Sequence, residues 1–316
     1  MKKFSSIVLA SILLTGCGAP AAPSAAPTST PTAVAVAAED LKILAPAGAP
    51  GYSLLPIVKE GKNDVEIVDG AQILQAAFVS KDHAYDVIVA PTNLGVKLAS
   101  AGKTTYKLAG IVTTGNLYVV SEDENFMDSD QSIALFGEGA VPGLVYNSLF
   151  PDSKTIPTWY ASVQEAQAAL LSGQTEGALL ADPAATAAIV KGKEAGKSFK
   201  KVADLQELWG EDGYPQAGLF VEESTLEENK DMYAALLDEM IAYTADVKAG
   251  KVDPSADLDA LHTDMFGTTP SAMVAKAYEG MGIDPMYASD KKEDVQKFMD
   301  LFGVKVSDET IVDLHD

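Results

Sequence analysis

The sequence predicts an α/β protein made of two similar lobes joined by two crossing segments. Three observations carry this: strand and helix patterns alternate from Leu41 onward, a helix–strand–proline–helix unit occurs twice, and a β-rich passage separates the two copies.

"LKILAP" (Leu41 to Pro46) alternates apolar and polar positions and then breaks into Ala-Gly-Ala-Pro-Gly, which reads as a strand and a loop with a helix opening near Tyr52. "VEIVDG" repeats the strand pattern. "AQILQAAFVS" is helical, with Ile73, Leu74, Ala77 and Phe78 on one face. "YDVIVAP" is a continuous apolar run ending at Pro91, the pattern of a buried parallel strand feeding a helix. Right-handed crossovers place these strands in one parallel sheet covered on both faces, a Rossmann-like lobe.

The unit then recurs. "QAAFVS" precedes "DVIVAPTNLGVKLASAG", and "QAALLS" (Gln167 to Ser172) precedes "EGALLADPAATAAIVKG". Two such lobes present strand C-termini and helix N-termini to a shared cleft, where open α/β sheets bind ligands. "TYKLAGIVTTGNLYVVSED" is expected to cross from one lobe to the other, and "YPQAGLFVEES" (Tyr214 to Ser224) to return. The expected boundaries are 39–115 and 221–316 for lobe 1 and 116–220 for lobe 2. Beyond the return the chain reads as helical. Met232, Leu236, Met240, Tyr243 and Val247 form one apolar stripe; Val295, Phe298, Met299 and Phe302 form another, ending at Gly303. Both are expected to pack on lobe 1.

The start of the chain has a different character. Lys2 and Lys3 are followed by an apolar run from Ile7 to Leu14, far short of the roughly 20 residues that span a bilayer. This reads as a secretory signal, residues 1–16. Leu14, Thr15 and Gly16 before Cys17 look like a bacterial lipobox, which makes the single cysteine a lipid anchor and leaves no internal disulfide or cysteine zinc site. From Gly18 to Ala38 the chain is almost entirely Ala, Pro, Ser, Thr and Val without charge, a tether that cannot bury a core. Gly18 and the length of the tether suggest a Gram-positive envelope.

The chain has 23 basic and 45 acidic residues, and removal of Lys2 and Lys3 with the leader leaves 21 against 45, a net charge of −24. Such a surface repels nucleic acid and anionic headgroups, so membrane association is expected through lipid alone. Every basic residue is lysine. The planar two-bond grip of arginine on carboxylate, sulfonate or phosphate is therefore absent. Catalytic signatures fail. "GKT" at Gly102 has Lys97 where a phosphate loop needs its first glycine, and "GYSLL" has Leu55 where a nucleophile elbow needs its second. His83, His262 and His315 are scattered without metal-ligand spacing, and neither metal nor cofactor is expected.

The lipobox, the tether, the duplicated lobes, "LLSGQTEGALLADPAATAA" (Leu170 to Ala188) and "GEGAVPGL" after a strand resemble the substrate-binding lipoproteins of ABC importers. The nearest group is the nitrate, sulfonate, taurine and pyrimidine-precursor binders, and the resemblance covers most of residues 41–250. It implies a type II periplasmic-binding-protein fold and a monomer. The lobes would close on a small solute and deliver it to a membrane permease with its ATPase. It also implies that Asp182, in the acid–proline pair with Pro183, lines the site. The missing arginine and Glu138 in the glycine loop depart from the acid binders, and favour a planar or neutral organic solute over an inorganic oxyanion.

The candidate ligand contacts follow from the turns. Gly139, Ala140 and Val141 in "FGEGAVPGL" are expected to offer backbone N–H groups at a helix start, a tight turn being the plain alternative. Tyr52, with Ser53 beside it, and Tyr160 after Trp159 are expected to stack on a ring, with core or rim packing as the alternative. Thr92 and Asn93 lie where a strand meets a helix, so that capping alone also explains them. Thr113 and Thr114 lie in the first crossing, Gln216 in the return, and Gln72 at a helix start. The expected function is a lipid-tethered solute receptor on the outer face of the cell membrane. The alternatives are an enzyme on the same scaffold acting on a small aromatic acid, and a surface sensor or adhesin.

Overall fold

A computed structural model describes residues 37–262, 265–267 and 269–315. The expected leader, Cys17 and the tether up to residue 36 lie outside the described residues. Among the described residues eleven strands form two sheets. In chain order they are β1 (Lys42–Pro46), β2 (Asp64–Val68), β3 (Val87–Pro91), β4 (Tyr106–Thr113), β5 (Leu117–Ser121), β6 (Ser132–Phe136), β7 (Ile156–Tyr160), β8 (Gly177–Ala181), β9 (Lys200–Asp204), β10 (Ala217–Glu222) and β11 (Ile283–Tyr287). The first sheet has the order β11-β4-β10-β3-β1-β2 and the second β7-β6-β8-β5-β9. Both belong to one compact unit.

The two sheets share a plan. β2, β1 and β3 are parallel, as are β7, β6 and β8. Beside the third strand of each set lies one antiparallel strand, β10 in the first sheet and β5 in the second. Each of these has just crossed from the other lobe. The repeated unit is thus real in three dimensions: the helix Ala71–Val79, β3 and the helix Thr92–Ser100 correspond to the helix Val163–Ser172, β8 and the helix Ala184–Glu194.

The apolar runs have a simple cause. Val87 and Val89 of β3 face a layer with Ile43, Leu219, Leu236 and Met240, while Ile88 and Ala90 face another with Leu44, Val96 and Phe220. A strand buried on both sides must be apolar at every position. The helix Thr92–Ser100 lies directly on the sheet, so close that a Cβ on Gly95 would stand 2.2 Å from Phe220 Cζ. Leu236 and Met240 anchor the long helix Leu226–Lys248, and Val295, Phe298 and Met299 anchor Lys292–Asp300. Trp209, Tyr214 and Phe298 form an aromatic column, with Tyr214 stacked on Phe298 at 5.7 Å, that continues the core between the lobes.

Three features correct the sequence reading. β10 is wholly in the first sheet, so the chain is back in lobe 1 at Ala217, ahead of the boundary expected after residue 220; the return crossing is the loop before it. β11 was not expected in a region that reads as helical. Among the described residues it pairs only with β4, and an edge position tolerates Pro285, which hides the strand pattern. β9 is likewise an edge strand, and its lysines obscure it.

Candidate functional site

The crossings meet where β3, β4 and β10 stand side by side. Pro91, Ala217 and Thr113 are in register across them, at the C-terminal ends of β3 and β4 and the start of β10. Just beyond, the Thr92 N–H donates to the Gln216 carbonyl at 3.0 Å, and the Gln216 N–H donates to the Thr113 carbonyl at 3.0 Å. These bonds hold the main chains of Thr92, Thr113 and Gln216 side by side, with Asn93 next to Thr92 in the chain.

From Gln216 a chain of side-chain bonds leads into lobe 2. Gln216 Nε2 donates to Asn116 Oδ1 at 2.9 Å, and Asn116 Nδ2 donates to the Asp182 carbonyl at 3.0 Å. The Asp182 N–H returns a bond to the Asn116 carbonyl at 2.9 Å. Asp182 follows β8 and its side chain is fully buried. One carboxylate oxygen accepts the Thr186 N–H at 2.8 Å, in the first turn of the helix Ala184–Glu194, and the other pairs with Lys201 of β9. Lys201 also lies over the Tyr118 ring, 3.5 Å from its centre.

A loop from lobe 1 covers this pair. The short helical turn Glu279–Met281, which leads into β11, places Gly280 directly over Asp182 and Lys201. Tyr118 Oη donates to the Gly280 carbonyl at 2.9 Å, and the Thr114 N–H donates to the Gly282 carbonyl at 2.8 Å. Burial pushes the Tyr118 phenol well above its usual range, and the Asp204 and Asp182 carboxylates push the same way.

Four oxygens of the cluster have no protein partner. Thr92 Oγ1, Asn93 Oδ1, Thr113 Oγ1 and Gln216 Oε1 are each buried and unbonded. Leaving such a group unpaired costs about 1–3 kcal/mol, so each of the four is a candidate for a bond to water or to a bound molecule. Beside it lies an open groove of about 370 Å³ whose walls include Asp204, Glu207, Glu211, Asp212, Glu279 and Asp284, with Lys248 as the one cation among the described lining residues. That groove repels anions.

Comparison with solved structures gives the architecture a context. An ABC transporter protein from Parabacteroides distasonis matches at a TM-score of 0.68 with 19% identity, over 87% of this chain and 99% of that one. The periplasmic aliphatic sulphonate binding protein SsuA from Escherichia coli matches at 0.61 with 16% identity, over 84% and 92%. The periplasmic nitrate-binding protein NrtA from Synechocystis PCC 6803 matches at 0.57 with 14% identity, over 86% and 84%. This chain has the periplasmic-binding-protein fold. No family model and no curated sequence matches it.

Within the periplasmic-binding-protein fold, the expected site residues separate into two groups. Thr92, Asn93, Thr113, Thr114, Asp182 and Gln216 converge at the junction of the lobes. The others have different surroundings. The Tyr52 ring stacks on Phe266 at 5.5 Å and its hydroxyl donates to the Phe266 carbonyl at 3.2 Å, which ties it into lobe 1. Ser53 is buried, with its hydroxyl on the Pro50 carbonyl at 2.7 Å. Gln72 is exposed. In the glycine loop the Ala140 N–H already bonds the Gly137 carbonyl at 2.9 Å, Gly139 is exposed, and Val141 opens the helix Val141–Leu149. Tyr160, at the end of β7, is half-buried against the lobe 2 core.

Asn116, Tyr118, Lys201 and Gly280 belong to the junction but escaped the sequence reading. Asn116 follows Gly115 in the first crossing, a turn signal that points to it. Tyr118 reads as an ordinary strand residue, Lys201 is one lysine among many, and nothing near Gly280 marks it.

Proposed function

We propose that this protein is the solute receptor of an ABC import system, holding a small organic molecule between its lobes without altering it. The observation that carries the reading is the set of four buried, unpaired oxygens where the crossings meet the C-terminal strand ends of lobe 1. A ligand that bonds them and also touches lobe 2 favours the closed arrangement over the open one, and a permease distinguishes loaded from empty receptor by that difference. The absence of arginine and the acidic groove support a neutral organic solute over an oxyanion.

The test is calorimetry of the purified protein against a panel of vitamins, pyrimidines, sulfonates and amino acids, with recovered ligand checked by mass spectrometry. Stoichiometric binding with unchanged ligand is the expected result. Turnover would instead establish the enzyme alternative, and a panel without binding would remove the proposal.

The same reading places the protein outside the cytoplasm, held by lipid on Cys17. No helix among the described residues is long and apolar enough to cross a membrane. Cys17→Ser is expected to shift the protein from the membrane fraction to the soluble one; a variant that remains with the membrane would overturn the anchor.

A further inference from the structure

The orientation of the amides at the junction follows from a single carbonyl. A main-chain carbonyl only accepts, so Asn116 presents Nδ2 to the Asp182 carbonyl. Asn116 Oδ1 is then the atom that faces Gln216, and Gln216 in turn presents Nε2 to it. What remains on Gln216 is Oε1, buried and without a partner. Turning either amide over sets two acceptors or two donors against each other. The polarity is imposed by the network.

The neighbouring groups do not oppose this polarity. Asn93 Oδ1 is also unpaired, in an amide that no bond orients, and Thr92 Oγ1 and Thr113 Oγ1 are hydroxyls that adapt to either role. Among the described residues, the lysine of this network, Lys201, is engaged by Asp182 and the Tyr118 ring, and the chain has no arginine. An acceptor-only anion brought to this cluster meets at least one fixed acceptor oxygen. A molecule with N–H groups meets its complement.

We infer that the solute is recognised by the N–H donors it carries, as a neutral or cationic nitrogen compound, and that Gln216, held by Asn116, is the residue that selects for them. The inference rests on the solute-receptor reading. It sets this chain apart from the sulphonate and nitrate binders whose fold it shares.

The test uses the whole protein with two sets of probes, cytosine, adenine and nicotinamide against nitrate, sulfate and ethanesulfonate, read by calorimetry and thermal shift. Binding confined to the N–H set is expected, weakened about ten- to a hundredfold in Gln216→Met. Thr113→Val supplies a second variant, with about a tenfold loss expected, should Gln216→Met melt much earlier than the parent without ligand. Binding of an oxyanion probe would overturn the donor rule and leave the receptor reading standing. So would unchanged affinity of an N–H probe in both variants. Absence of binding by either set counts against the receptor reading itself, and the donor rule falls with it.

Discussion

Replacing Gly280 by alanine tests how the loop before β11 holds lobe 2. A Cβ at Gly280 would stand 2.0 Å from Asp182 Oδ2, 3.2 Å from Asp182 Cγ and 2.7 Å from Lys201 Nζ. The lysine terminus can turn aside. The carboxylate cannot, because its other oxygen is held by the Thr186 N–H at 2.8 Å and its side chain is fully buried. Ordinary contact begins at 3.4 Å, so the loop must retreat from 2.0 to 3.4 Å, a movement of about 1.4 Å. That movement strips the Gly280 carbonyl from Tyr118 Oη. Overpacking costs about 1–3 kcal/mol and the abandoned phenol about 1 more. In a chain of this size each kcal/mol lowers Tm by about 2–4 °C, so a loss of about 4 °C or more is expected in a thermal melt. Gly210→Ala is the control, since nothing lies within 4 Å of its Cβ position. A Gly280→Ala melt within about 1 °C of the parent would refute the reasoning.

Lys201→Met strands the buried Asp182 carboxylate, and a loss of about 3 kcal/mol in denaturant titration is expected. Adding Asp182→Asn should recover part of it; no loss in the single variant would show that the pair contributes nothing. Burial raises the phenols of Tyr118, Tyr106, Tyr214 and Tyr243, and lifts Tyr278 to about 12. These groups are more acidic unfolded, so their contribution is complete below the unfolded value near 10 and declines as pH rises through the folded values. Tm is therefore expected to be insensitive to them at neutral pH and to fall above pH of about 10, with phenolate absorbance appearing together with unfolding. Ionisation of these five phenols near the unfolded value of about 10 while the fold persists would contradict the burial.

Much of lobe architecture is legible in the sequence because burial on both faces writes itself as "VIVAP" and "GALLA", and proline marks where each strand yields to a helix. The pairing partners are not legible. β3 lies between β1 and β10, and nothing local in "AGLFVE" says that it returns antiparallel from the other lobe. The site divides in the same way. Thr92, Thr113 and Gln216 lie at strand ends or turns, where sequence signals are strong, whereas Lys201 meets Asp182 only through the second sheet. Tyr52 follows a loop that resembles a ligand turn, but its hydroxyl partner is 214 residues away in Phe266. No window of sequence contains that contact.

The exchange of antiparallel strands has a consequence for biosynthesis. β3 and β4 do not pair with each other; β10 lies between them, and it is made only after all of lobe 2. A chain emerging N-terminus first must therefore carry an unzipped seam between β3 and β4 until residue 222 is available, with apolar strand edges open to any other strand. The second sheet has no such wait. Its five strands run without interruption from Leu117 to Asp204, so it can close as a unit while the first, begun earlier, still waits for a strand made after it.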